Sequence, residues 1–174
     1  RNENFIASLP LLQESESIGL PLNIIDFTVD KNMYSLNPTT LRYANNVCNL
    51  LDLFGAEVFD GSPIFEIGGG YGGECKVLND FAKQFSRNLN DCYYIFDLES
   101  SFGLISRYLL NFGYSSLTLE LDTMQPITQK GLVISNGAIS EMRGSLLSDY
   151  IDKVIRPADR GYFMTNFESH SLPF

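Results

Sequence analysis

The chain has 174 residues, of which 44% are hydrophobic, 13% aromatic and 19% charged. This length suits one domain with a substantial core, and the composition is typical of a packed chain rather than a disordered one. The 12 Lys and Arg against 21 Asp and Glu give a formal charge of −9, which disfavours nucleic acid and anionic membranes as partners. We therefore expect a small-molecule or glycan partner, and the oligomeric state is left open.

The cysteines predict neither a disulfide framework nor a metal site. Cys48, Cys75 and Cys92 form no CxxC pair and have no ligand-like spacing to the single His170. Free thiols are typical of a reducing compartment, and no apolar run approaches the ~20 residues that span a bilayer. We expect a cytoplasmic protein without a membrane span and without a metal ion.

The predicted elements begin late in the chain. Residues 1–36 mix polar stretches with Leu-Pro and Pro-Leu steps and show no sustained period, so we predict an irregular lead-in with at most a short helix. Asn37 and Pro38 are typical of an N-cap and a first helical position, and Gly55 ends the helix that they begin. Residues 37–174 are predicted to form a single domain.

From residue 63 onward, short β-rich runs alternate with amphipathic stretches, which is typical of a parallel sheet covered by helices. The predicted strands are Pro63–Ile67, Cys92–Asp97, Ser116–Leu121, Leu132–Asn136 and Gly161–Phe167. The predicted helices are Gly72–Ser86, Ser100–Phe112 and Ser140–Ile155, and residues 124–130 are too few for another. Right-handed crossovers then give a doubly wound α/β sheet of about five parallel strands.

A glycine-rich segment, Glu-Ile-Gly-Gly-Gly-Tyr-Gly-Gly, runs from Glu66 to Gly73 between a predicted strand and a predicted helix. Glycines at this junction allow a sharp turn and a close approach by a ligand. Two patterns overlap in it. The pattern G-x-G-x-x-G suits a dinucleotide and consists of Gly68, Gly70 and Gly73. The pattern acid-x-G-x-G-x-G suits a sulfonium nucleoside and consists of Glu66, Gly68, Gly70 and Gly72.

Three carboxylates help to choose between these ligands. Glu66 would repel a pyrophosphate, but it attracts the ammonium group of a methionine moiety, directly or through water. Asp97, at the end of the second predicted strand, can accept hydrogen bonds from both ribose hydroxyls of either ligand. Asp122, at the end of the third, could receive the exocyclic amine of adenine or cap a turn. The residues thus favour S-adenosylmethionine as the cofactor.

Three sequence blocks resemble the sugar O-methyltransferases found in polysaccharide-biosynthesis clusters. They are FEIGGGYGGECKVL, YYIFDLES and LVISNGAISEM, and TTLRYANNVCNLLDLFG is similar to the preceding helix of that family. The resemblance covers residues 36–167. It implies a Rossmann-like class I methyltransferase that moves a methyl group from S-adenosylmethionine to a sugar hydroxyl. Gly131 and Gly137 depart from the family, which often has an Asp and an aromatic residue at these positions.

Two rival interpretations remain open. Proteins of this fold class add an antiparallel hairpin after the fifth strand, and because the sequence stops at Phe174, we expect that hairpin to be missing. A non-catalytic domain that keeps the cofactor crevice for assembly or regulation is therefore one rival. The other is an NAD-dependent oxidoreductase, which would use the same glycines and Asp97.

Methyl transfer to a hydroxyl needs a base that removes a proton from the attacking oxygen. The resemblance places Glu141 inside the Ser-Asn-Gly-Ala-Ile-Ser-Glu block, although a carboxylate also suits the first turn of a helix. His170 is the second candidate base, and no motif surrounds it.

Further cofactor contacts are predicted at Gly69, Tyr71, Leu98 and Asn136. Tyr71 could pack over the cofactor or fill the core, and Asn136 could hold the methionine part, hold the substrate or cap the next helix. Asp97, Asn136 and Asn166 stand at strand ends, but this spacing supports no metal site.

Overall fold

The computed structural model describes residues 2–19, 21–121 and 125–165. The chain begins with helix α1 (Asn2–Glu14), a 3₁₀ turn (Ser15–Ser17) and a hairpin of strands β1 (Ile25–Val29) and β2 (Asn32–Leu36). The elements that follow are α2 (Pro38–Phe54), a 3₁₀ turn (Gly55–Phe59), β3 (Ile64–Ile67), α3 (Gly73–Gln84), β4 (Tyr93–Phe96), α4 (Glu99–Leu110), β5 (Leu117–Leu119), β6 (Leu132–Asn136), α5 (Ala138–Glu141), α6 (Gly144–Tyr150), a π-helical turn (Ile151–Ile155) and β7 (Arg160–Met164).

Strands β3 to β7 form one sheet in the order β5-β4-β3-β6-β7, and every neighbouring pair is parallel. Ile64 of β3 lies opposite Tyr93 of β4 on one side and Leu132 of β6 on the other. The strand order reverses between β3 and β6, and ligands of open α/β sheets bind beyond the strand ends at such a point. The prediction of a doubly wound, Rossmann-like sheet of five parallel strands is confirmed.

Both faces of the sheet are buried, because successive side chains of a strand point to opposite sides. The larger core cluster joins one face of the sheet to residues of α1, α2, α3 and α4, and it includes Leu9, Val47, Leu78, Ile95 and Leu109. The smaller cluster lies on the other face and includes Phe65, Ile67, Phe96, Tyr150 and Val154. None of the described helices is long and apolar enough to cross a membrane.

The prediction of an irregular segment at residues 1–36 is wrong, because most of it is regular. Helix α1 contains Pro10, which interrupts any helical pattern in the sequence, yet Leu9 and Leu12 are fully buried. Tertiary contacts with α3 hold the helix: Gln84 Nε2 donates a hydrogen bond to the Asn4 carbonyl over 2.9 Å, and Lys76 Nζ donates one to the Leu11 carbonyl. Packing therefore outweighs a weak local preference.

The β1–β2 hairpin also escaped prediction. Its turn residues, Asp30 and Lys31, have positive φ angles of 48° and 69°. This geometry joins antiparallel strands tightly, and sequences usually mark it with Asn-Gly or Asp-Gly. Because neither turn residue is a glycine, the sequence lacks the usual signal.

The predicted helix Ser140–Ile155 is broken in two. Arg143 is extended, with φ −142° and ψ 160°, and Gly144 has a φ of +59°, which a right-handed helix cannot accommodate. Arg143 Nη1 donates hydrogen bonds to the carbonyls of Ser140 and Met142, both over 2.7 Å. The break places Met142 and Arg143 beside the crevice at the strand ends.

Candidate functional site

Residues 68–73, here called the glycine loop, leave β3 at the point where the strand order reverses. The Gly68 N–H donates to the Phe96 carbonyl over 2.8 Å, and the Gly70 N–H donates to Asp97 Oδ2 over 2.8 Å. The other carboxylate oxygen of Asp97 accepts from the Leu98 N–H over 2.7 Å. The end of β4 thus fixes the shape of the loop.

Gly68 combines a positive φ angle with a lack of space for a side chain. Its φ is +81°, and a Cβ atom added there would lie 2.3 Å from Ala138 Cβ. The chain after β6 therefore approaches the loop as closely as glycine permits. This contact brings the loops that follow β3 and β6 together at one edge of the sheet.

A cavity of about 520 Å³ opens beside this contact, and we call it the glycine-loop cavity. Its volume lies within the usual range for sites that bind small ligands. Its lining includes Gly68, Asp97, Leu98, Leu121, Ala138 and Glu141. The structure thus brings together four of the residues predicted for the site, from three separate stretches of sequence: Gly68, Asp97, Leu98 and Glu141.

The lining of the glycine-loop cavity is strongly acidic. Within the part of the chain that the structure describes, it contains four acidic residues, Asp97, Glu99, Glu120 and Glu141, and one basic residue, Arg143. A negative potential concentrates in such a concave site. The cavity should therefore favour a cationic ligand and repel a pyrophosphate.

Tyr71, another predicted contact, lines a different cavity. This second cavity, about 530 Å³ in volume, is here called the N-terminal cavity, because Ser15, Ile18 and Pro21 form part of its wall. The Tyr71 ring packs edge-on against Tyr108, with centroids 4.8 Å apart. The sequence did not suggest this cavity, since its wall comes from the segment predicted to be irregular.

Glu66 lies beneath the glycine loop rather than in the wall of a cavity. It is 2% exposed, and its Oε2 accepts a hydrogen bond from the Tyr93 hydroxyl over 2.9 Å. A Cβ atom added to Gly69 would lie 3.5 Å from the same oxygen. Burial raises the pKa of Glu66 to about 8, with a further increase from the neighbouring Glu74. The structure therefore offers no direct route from Glu66 to a ligand in the glycine-loop cavity.

Glu74, in the first turn of α3, is a second buried carboxyl that the sequence analysis did not single out. It is 1% exposed, and its Oε1 accepts a hydrogen bond from Asn46 Nδ2 over 2.9 Å. Burial raises its pKa, whereas the side-chain amides of Asn46 and Asn136 lower it. The sequence did not indicate a special role for Glu74, because acidic side chains are common in the first turn of helices.

The remaining predicted residues divide into two groups. Gly69, Gly70 and Gly72 belong to the glycine loop, and Asn136 ends β6 with its amide nitrogen buried. Asp122, Asn166 and His170 lie outside the described residues. Among the residues that are described, no three His, Cys, Asp or Glu side chains gather in a way that could hold a metal ion.

Comparison with known proteins identifies the fold. No family model matches the chain, and neither does any curated protein. The chain is similar in structure to protein 1320 of Thermoplasma acidophilum, with a TM-score of 0.51 and 13% identity over 73% of this chain and 62% of the other. It is also similar to PH1948 of Pyrococcus horikoshii, named as a proposed RNA methyltransferase, with a TM-score of 0.51 and 13% identity over 75% and 59%. The chain thus spans about six tenths of the length of these two structures, with which it shares a Rossmann-like α/β fold.

Proposed function

We propose that the chain binds S-adenosylmethionine in the glycine-loop cavity and acts as a methyltransferase on a hydroxyl of a sugar or glycan precursor. The acidic lining of that cavity carries the proposal. Four acidic residues against Arg143 suit a ligand with a positively charged sulfur and an ammonium group, whereas they repel the pyrophosphate of NAD. When bound, S-adenosylmethionine supplies a methyl group on an electrophilic sulfur.

Residues of the chain have distinct tasks in this scheme. Asp97 holds the glycine loop through Gly70, and its remaining lone pairs can accept hydrogen bonds from the ribose hydroxyls. The side chain of Leu98, 73% exposed in this structure, offers an apolar surface to the adenine ring. Asp122 is proposed for the adenine amine.

The acceptor hydroxyl must lose its proton as its oxygen takes the methyl group. Glu141, exposed on the wall of the glycine-loop cavity, is the proposed proton acceptor, and His170 is the alternative. The choice of acceptor class rests on charge and on the family resemblance. A chain with a formal charge of −9 repels a polyanion. We therefore do not take RNA as the acceptor, although PH1948 is named as an RNA methyltransferase.

Isothermal titration with S-adenosylhomocysteine tests the cofactor without a known acceptor, and NAD serves as the comparison ligand. We expect saturable binding of S-adenosylhomocysteine alone. Binding of NAD alone would overturn the proposal in favour of an oxidoreductase. If neither ligand binds, a non-catalytic domain becomes the better interpretation.

The acceptor is tested separately with S-adenosylmethionine that carries a labelled methyl group. Neutral sugars, glycan fragments and RNA are offered in parallel reactions. We expect label on a sugar or glycan, and a Glu141→Gln variant should reduce its rate of transfer. Label on RNA would overturn the acceptor class and leave the cofactor assignment intact.

A further inference from the structure

The N-terminal cavity is as large as the glycine-loop cavity, at about 530 Å³ against about 520 Å³, but it differs in charge. Among the described residues, its wall contains no acidic and no basic side chain. A charged ligand would therefore lose its hydration there without meeting an opposite charge. The N-terminal cavity thus favours a neutral ligand, whereas the acidic glycine-loop cavity favours a cationic one.

Polar side chains in the same wall disfavour a purely apolar ligand. They include Asn23, Thr39 and Thr40, whose amide and hydroxyl groups can form hydrogen bonds. Ser15 is 7% exposed, and its Oγ is buried without a hydrogen-bond partner among the described residues. The Tyr108 hydroxyl lies nearby but does not meet Ser15 Oγ in hydrogen-bonding geometry. A buried hydroxyl without a partner costs free energy, which a hydrogen bond to a ligand hydroxyl would recover.

Two tyrosine rings in the wall are held in fixed positions. The Tyr71 ring, edge-on against Tyr108, also has its centroid 6.5 Å from that of Tyr43. A Cβ atom added to Gly73 would lie 2.6 Å from both Cζ and Oη of Tyr71, so the lack of a side chain at Gly73 makes room for this ring. The wall therefore presents an apolar aromatic surface that is already in place before a ligand arrives.

A sugar unit without ionisable groups meets all three conditions. It has no charge, it carries several hydroxyls that donate and accept hydrogen bonds, and its C–H groups form an apolar face that packs against aromatic rings. We propose that the N-terminal cavity binds a neutral sugar unit, with Ser15 hydrogen-bonded to one of its hydroxyls and the Tyr71 ring against its apolar face.

The two cavities lie along the same loop and the same helix. Gly68 of the glycine loop lines one and Tyr71 lines the other. In α4, Glu99 and Leu104 line the glycine-loop and N-terminal cavities respectively, about 7.5 Å apart along the helix axis. The inference rests on the proposed function, because the sugar unit would belong to the glycan acceptor. Since Glu141 lines the glycine-loop cavity, the unit in the N-terminal cavity would be a neighbour of the one that receives the methyl group.

A glycan array tests this site without any need for activity. The labelled chain is applied to neutral glycans and to glycans that carry uronic or sialic acids, with and without S-adenosylhomocysteine. We expect retention on neutral glycans only, under both conditions. A preference for acidic glycans would overturn the sugar site. The same holds if no glycan retains a chain that binds S-adenosylhomocysteine, and the proposed cofactor site would then stand alone.

Ser15→Ala tests the hydrogen bond. Because the Ser15 hydroxyl has no partner among the described residues, its removal should not lower the melting temperature. Affinity for a retained neutral glycan should fall by about two- to tenfold. Tyr71→Ala should weaken the same binding by about fivefold or more. Tyr34→Ala is the matched control, because Tyr34 is also a partly buried tyrosine packed on the larger core and lines neither cavity. A lower melting temperature of Ser15→Ala with unchanged glycan affinity would show a merely structural hydroxyl and overturn the contact.

Binding of S-adenosylhomocysteine separates this proposal from the proposed function. We expect Ser15→Ala to bind S-adenosylhomocysteine within about twofold of the wild type. If the affinities for S-adenosylhomocysteine and for the glycan fall together, the N-terminal cavity holds part of the cofactor and the sugar site is overturned. If the wild-type chain binds neutral glycans but not S-adenosylhomocysteine, the proposed function fails and the sugar site stands without it.

Discussion

The backbone N–H of Gly70 donates a hydrogen bond to Oδ2 of Asp97 over 2.8 Å, although 27 positions separate the two residues in the chain. The bond joins the glycine loop after β3 to the end of β4. It means that one side chain both shapes the loop and borders the cavity beside it. A ligand that hydrogen-bonds to Asp97 would therefore contact a carboxylate that is already held in place.

Replacing Asp97 tests this double role. Asp97→Ala removes the acceptor for Gly70 and the proposed acceptor for the ribose, so we expect affinity for S-adenosylhomocysteine to fall by about tenfold or more. Asp97→Asn keeps one oxygen for Gly70 and should retain more affinity. Titration calorimetry measures both, with the exposed Asp152→Ala as a control that should bind like the wild type. Unchanged affinity in Asp97→Ala would exclude Asp97 from the cofactor site.

Gly68 and Gly70 offer a matched pair of substitutions, because both have positive φ angles, +81° and +59°. An added Cβ atom would lie 2.3 Å from Ala138 Cβ at Gly68, whereas at Gly70 it meets no described atom within 4 Å. We expect Gly68→Ala to lower the melting temperature more than Gly70→Ala. Both variants strain the backbone, but only Gly68→Ala must also displace Ala138. Equal melting temperatures of the two variants would mean that the loops after β3 and β6 do not pack closely at Gly68 and Ala138.

The buried Glu66 predicts a pH dependence of stability. Its pKa is raised from 4.5 to about 8, so between these values the folded protein keeps a proton that the unfolded chain has released. The stabilising contribution is complete below about pH 4.5 and is lost as the pH rises through about 8. Glu66→Gln leaves an acceptor for the Tyr93 hydroxyl but cannot ionise. We expect the melting temperature of Glu66→Gln to rise relative to that of the wild type as the pH increases from about 4.5 to about 8. A difference in melting temperature that stays constant over this range would contradict the raised pKa of Glu66.

Two ion pairs share an i,i+4 spacing and a 2.6 Å distance but lie in very different surroundings. Lys76–Asp80 is buried, with side chains 0% and 1% exposed, whereas Arg156–Asp152 is 74% and 59% exposed. Lys76→Met leaves the buried carboxyl of Asp80 without its cation, so it should lower the free energy of unfolding by about 3 to 5 kcal/mol. Arg156→Met should cost at most about 1 kcal/mol. Urea denaturation measures both, and similar losses would mean that water reaches the Lys76 pair.

Because Lys76 also binds the Leu11 carbonyl, the first of these variants should loosen α1 as well. Hydrogen exchange of the α1 amides would report this local effect separately from global unfolding. Protection of α1 that stays unchanged would show that the helix does not need the hydrogen bond from Lys76 to Leu11.

Local sequence determined most of the fold that begins at Asn37, but not the break in the predicted helix at Arg143 and Gly144. Helix α2 starts at the predicted Pro38 because Asn37 caps it, accepting a hydrogen bond from the Thr40 N–H over 2.9 Å. The strands β3, β4 and β6 are short apolar runs between turn residues, and their order along the chain with right-handed crossovers is enough to predict a parallel sheet. The glycine loop follows from the same pattern, since both its composition and its position after a strand are visible in the sequence.

Only the tertiary structure decided the regularity of the first 36 residues and the surroundings of the buried carboxyls. Helix α1 exists because Leu9 and Leu12 are buried in the core, and the contact partners on α3 lie more than 60 positions away in the sequence. In the sequence, Glu66 and Glu74 are both glutamates beside the glycine loop. In the structure, Glu66 accepts a hydrogen bond from Tyr93, whereas Glu74 accepts one from Asn46. Burial and the choice of partner depend on distant segments that meet only in the fold, and for this reason no local pattern could predict them.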